Sequence, residues 1–220
     1  MPSFARISFY NKCKALFPSL AEFDENIKLL KHLRKWRRDG WQTPLPSLMK
    51  RVMIKAEAQR IGATTLVETG TYTGDTVWFF RKDLKQIFSI EIHPDLARLA
   101  RVRFASWPSV KIVEGDSATK LAEIVPEVNG PCVFWLDGHY SAGITGRGSK
   151  DCPIWGEFDA IIGKMKYPFI ILIDDARCFG TDADYPPLTE VDAFVRERLP
   201  GYSMRVENDI IRITPVAPMA

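Results

Sequence analysis

The chain has 220 residues, of which 46% are hydrophobic and 26% charged, with a formal net charge of +3. That length admits one full domain with an appended helical segment and excludes two large ones, and the composition is that of a folded chain with a sizeable core, not of a disordered one. No run approaches the roughly 18 consecutive apolar residues of a membrane span, and Arg6, Lys12 and Lys14 interrupt the start before a secretory apolar region forms, so a soluble, cytoplasmic protein is expected.

Residues 1–60 carry 13 Lys/Arg against 5 Asp/Glu, which leaves 17 against 22 for the remainder. The basic excess is densest over 28–38, KLLKHLRKWRR, where Ile27, Leu29, Leu30, Leu33 and Trp36 recur at helical spacing. Two readings follow: an amphipathic helix with a solvated basic face, or a surface that attracts phosphate or an anionic membrane. Breaks near Pro18, Gly40 and 44–46 divide this region, and Ser47 is the expected N-cap of a helix running to Ile61. The expected organisation is a basic helical arm over 1–46, packing on the rest or closing over it as a lid, followed by one domain over 47–220.

From residue 65 short apolar runs alternate with amphipathic stretches, the pattern of a parallel sheet with crossover helices and hence of an α/β fold. Strands are expected at 65–68, 86–91, 110–114, 132–137 and 169–174, mostly without polar alternation, as strands covered on both faces should be. Helices are expected near 76–82, 95–106, 120–125 and 157–165. The rhythm changes at the end, where 202–206 and 210–214 flank Glu207, Asn208 and Asp209 and suit an antiparallel hairpin. Cys13, Cys132, Cys152 and Cys178 show no paired spacing and read as inert thiols.

The strongest chemical signal is 66–74, LVETGTYTG: an apolar strand ending on Glu68, then Gly70 and Gly74 opening a helix. Gly70 permits a tight turn with close approach of a ligand, and the helix start near Gly74 and Thr76 offers free N–H groups to a carboxylate or phosphate. Glu91 closes the second strand, where a carboxylate accepts both hydroxyls of a ribose. Asp116 and Ser117 follow the third, within reach of an adenine amino group. A plain structural turn explains the glycines alone, but acidic residues at three successive strand ends go beyond it.

In these residues the chain resembles the class I S-adenosylmethionine-dependent methyltransferases over roughly 47–214, and in ETGTYTG it is most similar to their small-molecule and sugar O-methyltransferases. The resemblance implies a Rossmann-like seven-stranded sheet ending in an antiparallel hairpin, with S-adenosyl-L-methionine as cofactor. Glu68, Gly70, Thr71, Tyr72 and Gly74 would surround its methionine part, Glu91 its ribose, and Asp116 and Ser117 its adenine. The sequence departs from the family at Tyr72, where many members carry a third glycine.

A second group lies at the ends of strands four and five, in WLDGHYS and ILIDDAR. Adjacent strand ends stand roughly 5 Å apart, so Asp137, Asp174 and Asp175 can converge on one hard cation, Mg2+ or another divalent metal, as in related catechol-type and sugar enzymes. Such an ion would lower the pKa of an acceptor hydroxyl and orient its oxygen. The alternative has Asp137 on the cofactor and the aspartate pair capping the next helix. His139, two residues past Asp137, is placed to take the hydroxyl proton or to neighbour the metal, and Asp137 is the other catalytic candidate. Arg147, Lys150 and Arg177 near the glycine-rich 141–150 loop read singly as solvated side chains, and 189–192 forms a capping-box pattern.

The expected function is metal-assisted O-methylation of a small molecule or carbohydrate, with no nucleic-acid partner and peripheral membrane contact through the arm left open. A nicotinamide-dependent oxidoreductase lacks its GxGxxG after the first strand. A non-catalytic nucleotide-binding scaffold with a basic docking arm is the remaining alternative.

Overall fold

The computed structural model describes residues 18–40, 43–138, 152–181 and 184–216. Helices α1 (Pro18–Arg38) and α2 (Ser47–Arg60) precede strand β1 (Thr65–Thr69), after which strands and helices alternate. In chain order these are α3 (Asp75–Phe80), β2 (Gln86–Glu91), α4 (Pro94–Phe104), β3 (Val110–Glu114), α5 (Ser117–Ile124), β4 (Cys132–Leu136), α6 (Ile154–Lys164), β5 (Phe169–Ile173) and α7 (Leu188–Arg198). The hairpin β6 (Tyr202–Glu207) and β7 (Ile210–Pro215) completes the chain, and the seven strands form one sheet in the order β3-β2-β1-β4-β5-β7-β6.

Strands β1 to β5 run parallel, and β7 pairs antiparallel with both β5 and β6. Every residue of β1, β4 and β5 is buried, which is why these stretches read as continuous apolar runs. Successive residues serve opposite faces. Val67, Phe134 and Ile171 join the core beneath α5, α6 and α7, while Leu66, Val133, Trp135 and Ile170 join the one that holds Ile54 of α2, Val77 and Phe80 of α3 and Ala100 of α4. The expected hairpin turn is present, with Asn208 and Asp209 both at positive φ, the backbone a two-residue turn of matching twist requires.

Two expected caps do not form. Ser47 is the first residue of α2, and the boundary position belongs to Pro46, which has no side-chain oxygen to offer. The 189–192 pattern likewise falls inside α7, which starts behind Pro187 with no side-chain cap. Helix α1 covers the basic stretch, but its apolar stripe is incompletely covered: Trp36 packs on the core, whereas Ile27 and Leu30 stay exposed. Among the described residues no helix is long and apolar enough to cross a membrane. Cys132 and Cys152 are buried, and burial pushes the Cys152 thiol up to about 12.

Register fixes the site. Thr69 pairs with Ile90 and Leu136, and Leu136 with Ile173, so the residues that follow them, Gly70, Glu91, Asp137 and Asp174, leave the sheet side by side at its carboxyl edge. Ligands of open parallel sheets bind along that edge.

Candidate functional site

The β1 turn is built by close backbone approach. Gly70 takes φ +84°, and a β-carbon there would overlap the Asp137 carbonyl oxygen at the end of β4. Gly74 takes φ +73°, with the Phe104 ring 2.7 Å from where its β-carbon would stand. Tyr72, the departure from the family pattern, also sits at positive φ (49°), so a left-handed turn survives there without glycine. It is held by Glu91, whose carboxylate accepts the Tyr72 N–H at 2.8 Å and the His93 N–H at 2.9 Å. From behind, the fully buried Arg103 guanidinium donates to the Thr73 carbonyl and to Asp75.

Above this turn lies a cavity of about 310 Å³. Its floor is Glu68, Gly70, Thr71, Tyr72, Thr73 and Asp137, and the opposite wall is Ser47 and Arg51 of α2 with Lys28 and His32 of α1. Two residues of the basic arm, Lys28 and His32, thus border the cavity. Glu68 is 2% exposed, and burial raises its pKa to about 7 against the opposing effect of its hydrogen bonds. The Ser89 hydroxyl donates to Glu68 at 2.6 Å and lies 2.7 Å from the Thr71 hydroxyl, forming a buried chain from β1 through β2 to the turn. The positive charge of Arg51 pulls the Glu68 pKa down and so stands within range of it. A carboxyl and a guanidinium across one small cavity suit an amino-acid moiety, whose ammonium and carboxylate need opposite partners. Helix α3 has only six residues, which makes its N-terminus a lesser anion site than the sequence suggested.

Glu91 is buried beneath the turn, and burial raises its pKa. Asp116 caps α5, accepting the Ala118 N–H at 2.9 Å, and Ser117 is the first residue of that helix. These two stand in the expected order along the edge but do not line the cavity. His139, Arg147, Lys150 and the 141–150 loop lie outside the described residues.

At the ends of β4 and β5 the carboxylates are already engaged. Asp174 accepts the Lys50 ammonium of α2 through one oxygen and the Asp175 N–H at 2.9 Å through the other. Asp175, in a left-handed conformation, accepts from Arg177 at 2.9 Å, and Arg177 also binds Asp209 in the hairpin turn. Asp137 is half-buried, and the loss of surrounding water, reinforced by the negative charge of Asp174, drives its pKa well above the ordinary carboxylate range. Among the described residues no group of three His, Cys, Asp or Glu side chains is arranged to hold a metal ion. As arranged, Asp174 and Asp175 do not fit a divalent cation, because Lys50 and Arg177 occupy oxygens that a metal would need.

Sequence reasoning passed over Lys50, Arg51, Ser89 and Glu157. Ser89, a polar residue inside the apolar strand QIFSIE, was a visible signal, whereas Lys50 declares itself only once the fold turns its stripe of α2, through Ile54 and Glu57, inward. Glu157 is fully buried on α6 near the Thr69 and Ser117 hydroxyls, with neither carboxylate oxygen completing a hydrogen bond, and burial raises its pKa to about 7.

No family model and no curated protein matches the chain. Solved structures do. The O-methyltransferase TomG of Streptomyces achromogenes, involved in tomaymycin synthesis and solved with SAM, aligns over 86% of this chain and 89% of its own at a TM-score of 0.56 and 16% identity. The SAH-bound methyltransferase PaMTH1 of Podospora anserina aligns over 84% and 87% at 0.55 and 18%. The Bacillus cereus O-methyltransferase, in complex with SAH, aligns over 84% and 90% at 0.54 and 15%. The chain has the class I methyltransferase fold, the resemblance its motifs carried.

Proposed function

We propose that the chain is an S-adenosylmethionine-dependent methyltransferase acting on a hydroxyl of a small molecule or carbohydrate. The observation that carries this reading is the cavity over the β1 turn, where Glu68 and Arg51 offer opposite charges across a floor made by Gly70, Thr71, Tyr72 and Thr73. Three structures of the same fold, TomG, PaMTH1 and the Bacillus cereus enzyme, were solved with SAM or SAH.

In this reading Glu68 faces the ammonium group of the cofactor and Arg51 its carboxylate, while Glu91 fixes the turn on which the two depend. The bound cofactor supplies a sulfonium methyl group, open to in-line displacement by an oxygen nucleophile. Asp137 lines the same cavity, and a carboxylate with a raised pKa is a stronger base once ionised, so it is the residue placed to take the acceptor proton. Lys28 and His32 border the same cavity, and Lys28 adds positive charge beside it.

A methyl-transfer assay over a panel of phenolic, sugar and carboxylic acceptors tests the reading. Transfer to hydroxyl-bearing acceptors, lost in Asp137→Asn while cofactor binding persists, is the expected result. Transfer confined to nitrogen or carbon acceptors contradicts the O-methylation part.

A further inference from the structure

We propose that Lys50 fills the position a divalent cation would take between Asp174 and Asp175, so that this chain works without metal and its own ammonium supplies the positive charge at the acceptor end of the site. The inference rests on the methyltransferase reading for the word acceptor, but its geometry does not.

Lys50 is fixed by its helix. It shares one stripe of α2 with Ile54 and Glu57, at spacings of four and seven residues, and that stripe faces the sheet. Ile54 is 1% exposed. Glu57 is buried and anchors the helix on the hairpin, accepting from Arg212 at 3.2 Å and Arg205 at 3.1 Å, with Arg60 adding a third bond at 2.9 Å. A helix pinned at Glu57 has no freedom to rotate Lys50 away, and the Lys50 side chain is only 15% exposed. Its ammonium bonds Asp174 and stands 4.0 Å from Asp175.

The charge balance follows. Asp174, Asp175 and Asp209 face Lys50 and Arg177, three carboxylates against two cations, so most of the negative charge that would draw a divalent ion is already met within the chain. A metal could enter only by expelling a half-buried lysine whose helix is tied down seven residues on. An ammonium donates hydrogen bonds and positive charge to a developing oxyanion but cannot coordinate two oxygens of a diol at once, so single hydroxyl acceptors suit this site better than catechol-like pairs.

Manganese titration followed by electron paramagnetic resonance of the free ion tests this on the full chain. The wild-type protein should take up no stoichiometric Mn2+. Lys50→Ala should gain Mn2+ affinity by about tenfold or more, since the freed carboxylates then repel one another until a cation returns. Adding Asp174→Asn to that variant should abolish the gain, and Lys50→Arg, which keeps the charge, should leave the site closed. Lys50→Met fills the same space with an apolar stem and replaces the alanine variant if that fails to fold. One tightly held Mn2+ per wild-type chain, lost in Asp174→Asn, overturns the proposal, and so does a folded Lys50→Ala that gains no affinity. Failure of the methyltransferase reading shows separately, as absent S-adenosylmethionine binding with the manganese pattern intact.

Discussion

Gly70 meets Asp137 backbone to backbone: the α-carbon at the turn after β1 lies where any side-chain atom would strike the carbonyl oxygen ending β4. Gly70→Ala therefore combines a left-handed backbone with a steric overlap between two main chains, neither of which can move without shifting a strand. The expected cost is about 2 to 4 kcal/mol of stability, read by urea denaturation, with cofactor binding lost in whatever fraction remains folded.

Glu157 gives the protein a pH-dependent stability. Its carboxyl keeps its proton to about pH 7 when folded and to about 4.5 when unfolded. The folded state thus binds more protons between those values, so the contribution is complete below pH 4.5 and is lost as pH rises through 7. Glu157→Gln should flatten that slope and raise stability at pH 8 by up to about 3 kcal/mol, while changing little at pH 4.5. Equal denaturation midpoints for the two proteins at pH 8 would remove the buried carboxyl as the source.

Glu68 should impose the opposite dependence on cofactor binding. Below its raised pKa of about 7 it is largely neutral, and only the ionised form attracts a cationic group. S-adenosylmethionine affinity should rise by up to about tenfold per pH unit from 6 to 7.5 and level off above. Calorimetry on Glu68→Gln should show weaker binding with no such rise.

The parallel sheet, its closing hairpin and the order of acidic strand ends were legible because burial on both faces leaves an uninterrupted apolar run, and because Glu68, Glu91 and Asp137 stand where such runs stop. The role of α2 was not legible. Lys50 reads as one more charge in a basic arm until the fold shows that its stripe, through Ile54 and Glu57, turns inward. The metal expectation, which finds no support among the described residues, has the same gap: spacing along the chain brings Asp137, Asp174 and Asp175 together but says nothing of a lysine arriving from 124 residues earlier. The caps at Ser47 and 189–192 missed by one and two positions, because a proline took the boundary in each case.

Glu91 holds two backbone N–H groups, those of Tyr72 and His93, one on each carboxylate oxygen. Glu91→Ala should weaken S-adenosylmethionine binding by about 1.5 to 3 kcal/mol, the range for hydrogen bonds to a charged group. It should also lower the melting temperature of the free protein, since Tyr72 loses the partner that holds it at positive φ. A variant with normal thermal stability and normal affinity would show that the turn stands without it.

The cavity over the β1 turn is tested most directly by isothermal titration of the wild-type chain with S-adenosylmethionine, set beside S-adenosylhomocysteine and a nicotinamide dinucleotide. One molecule of either adenosyl compound should bind per chain, with affinity reduced in both Arg51→Ala and Glu68→Gln and no heat from the dinucleotide. Binding of the dinucleotide, or no binding of S-adenosylmethionine by a folded chain, would contradict it.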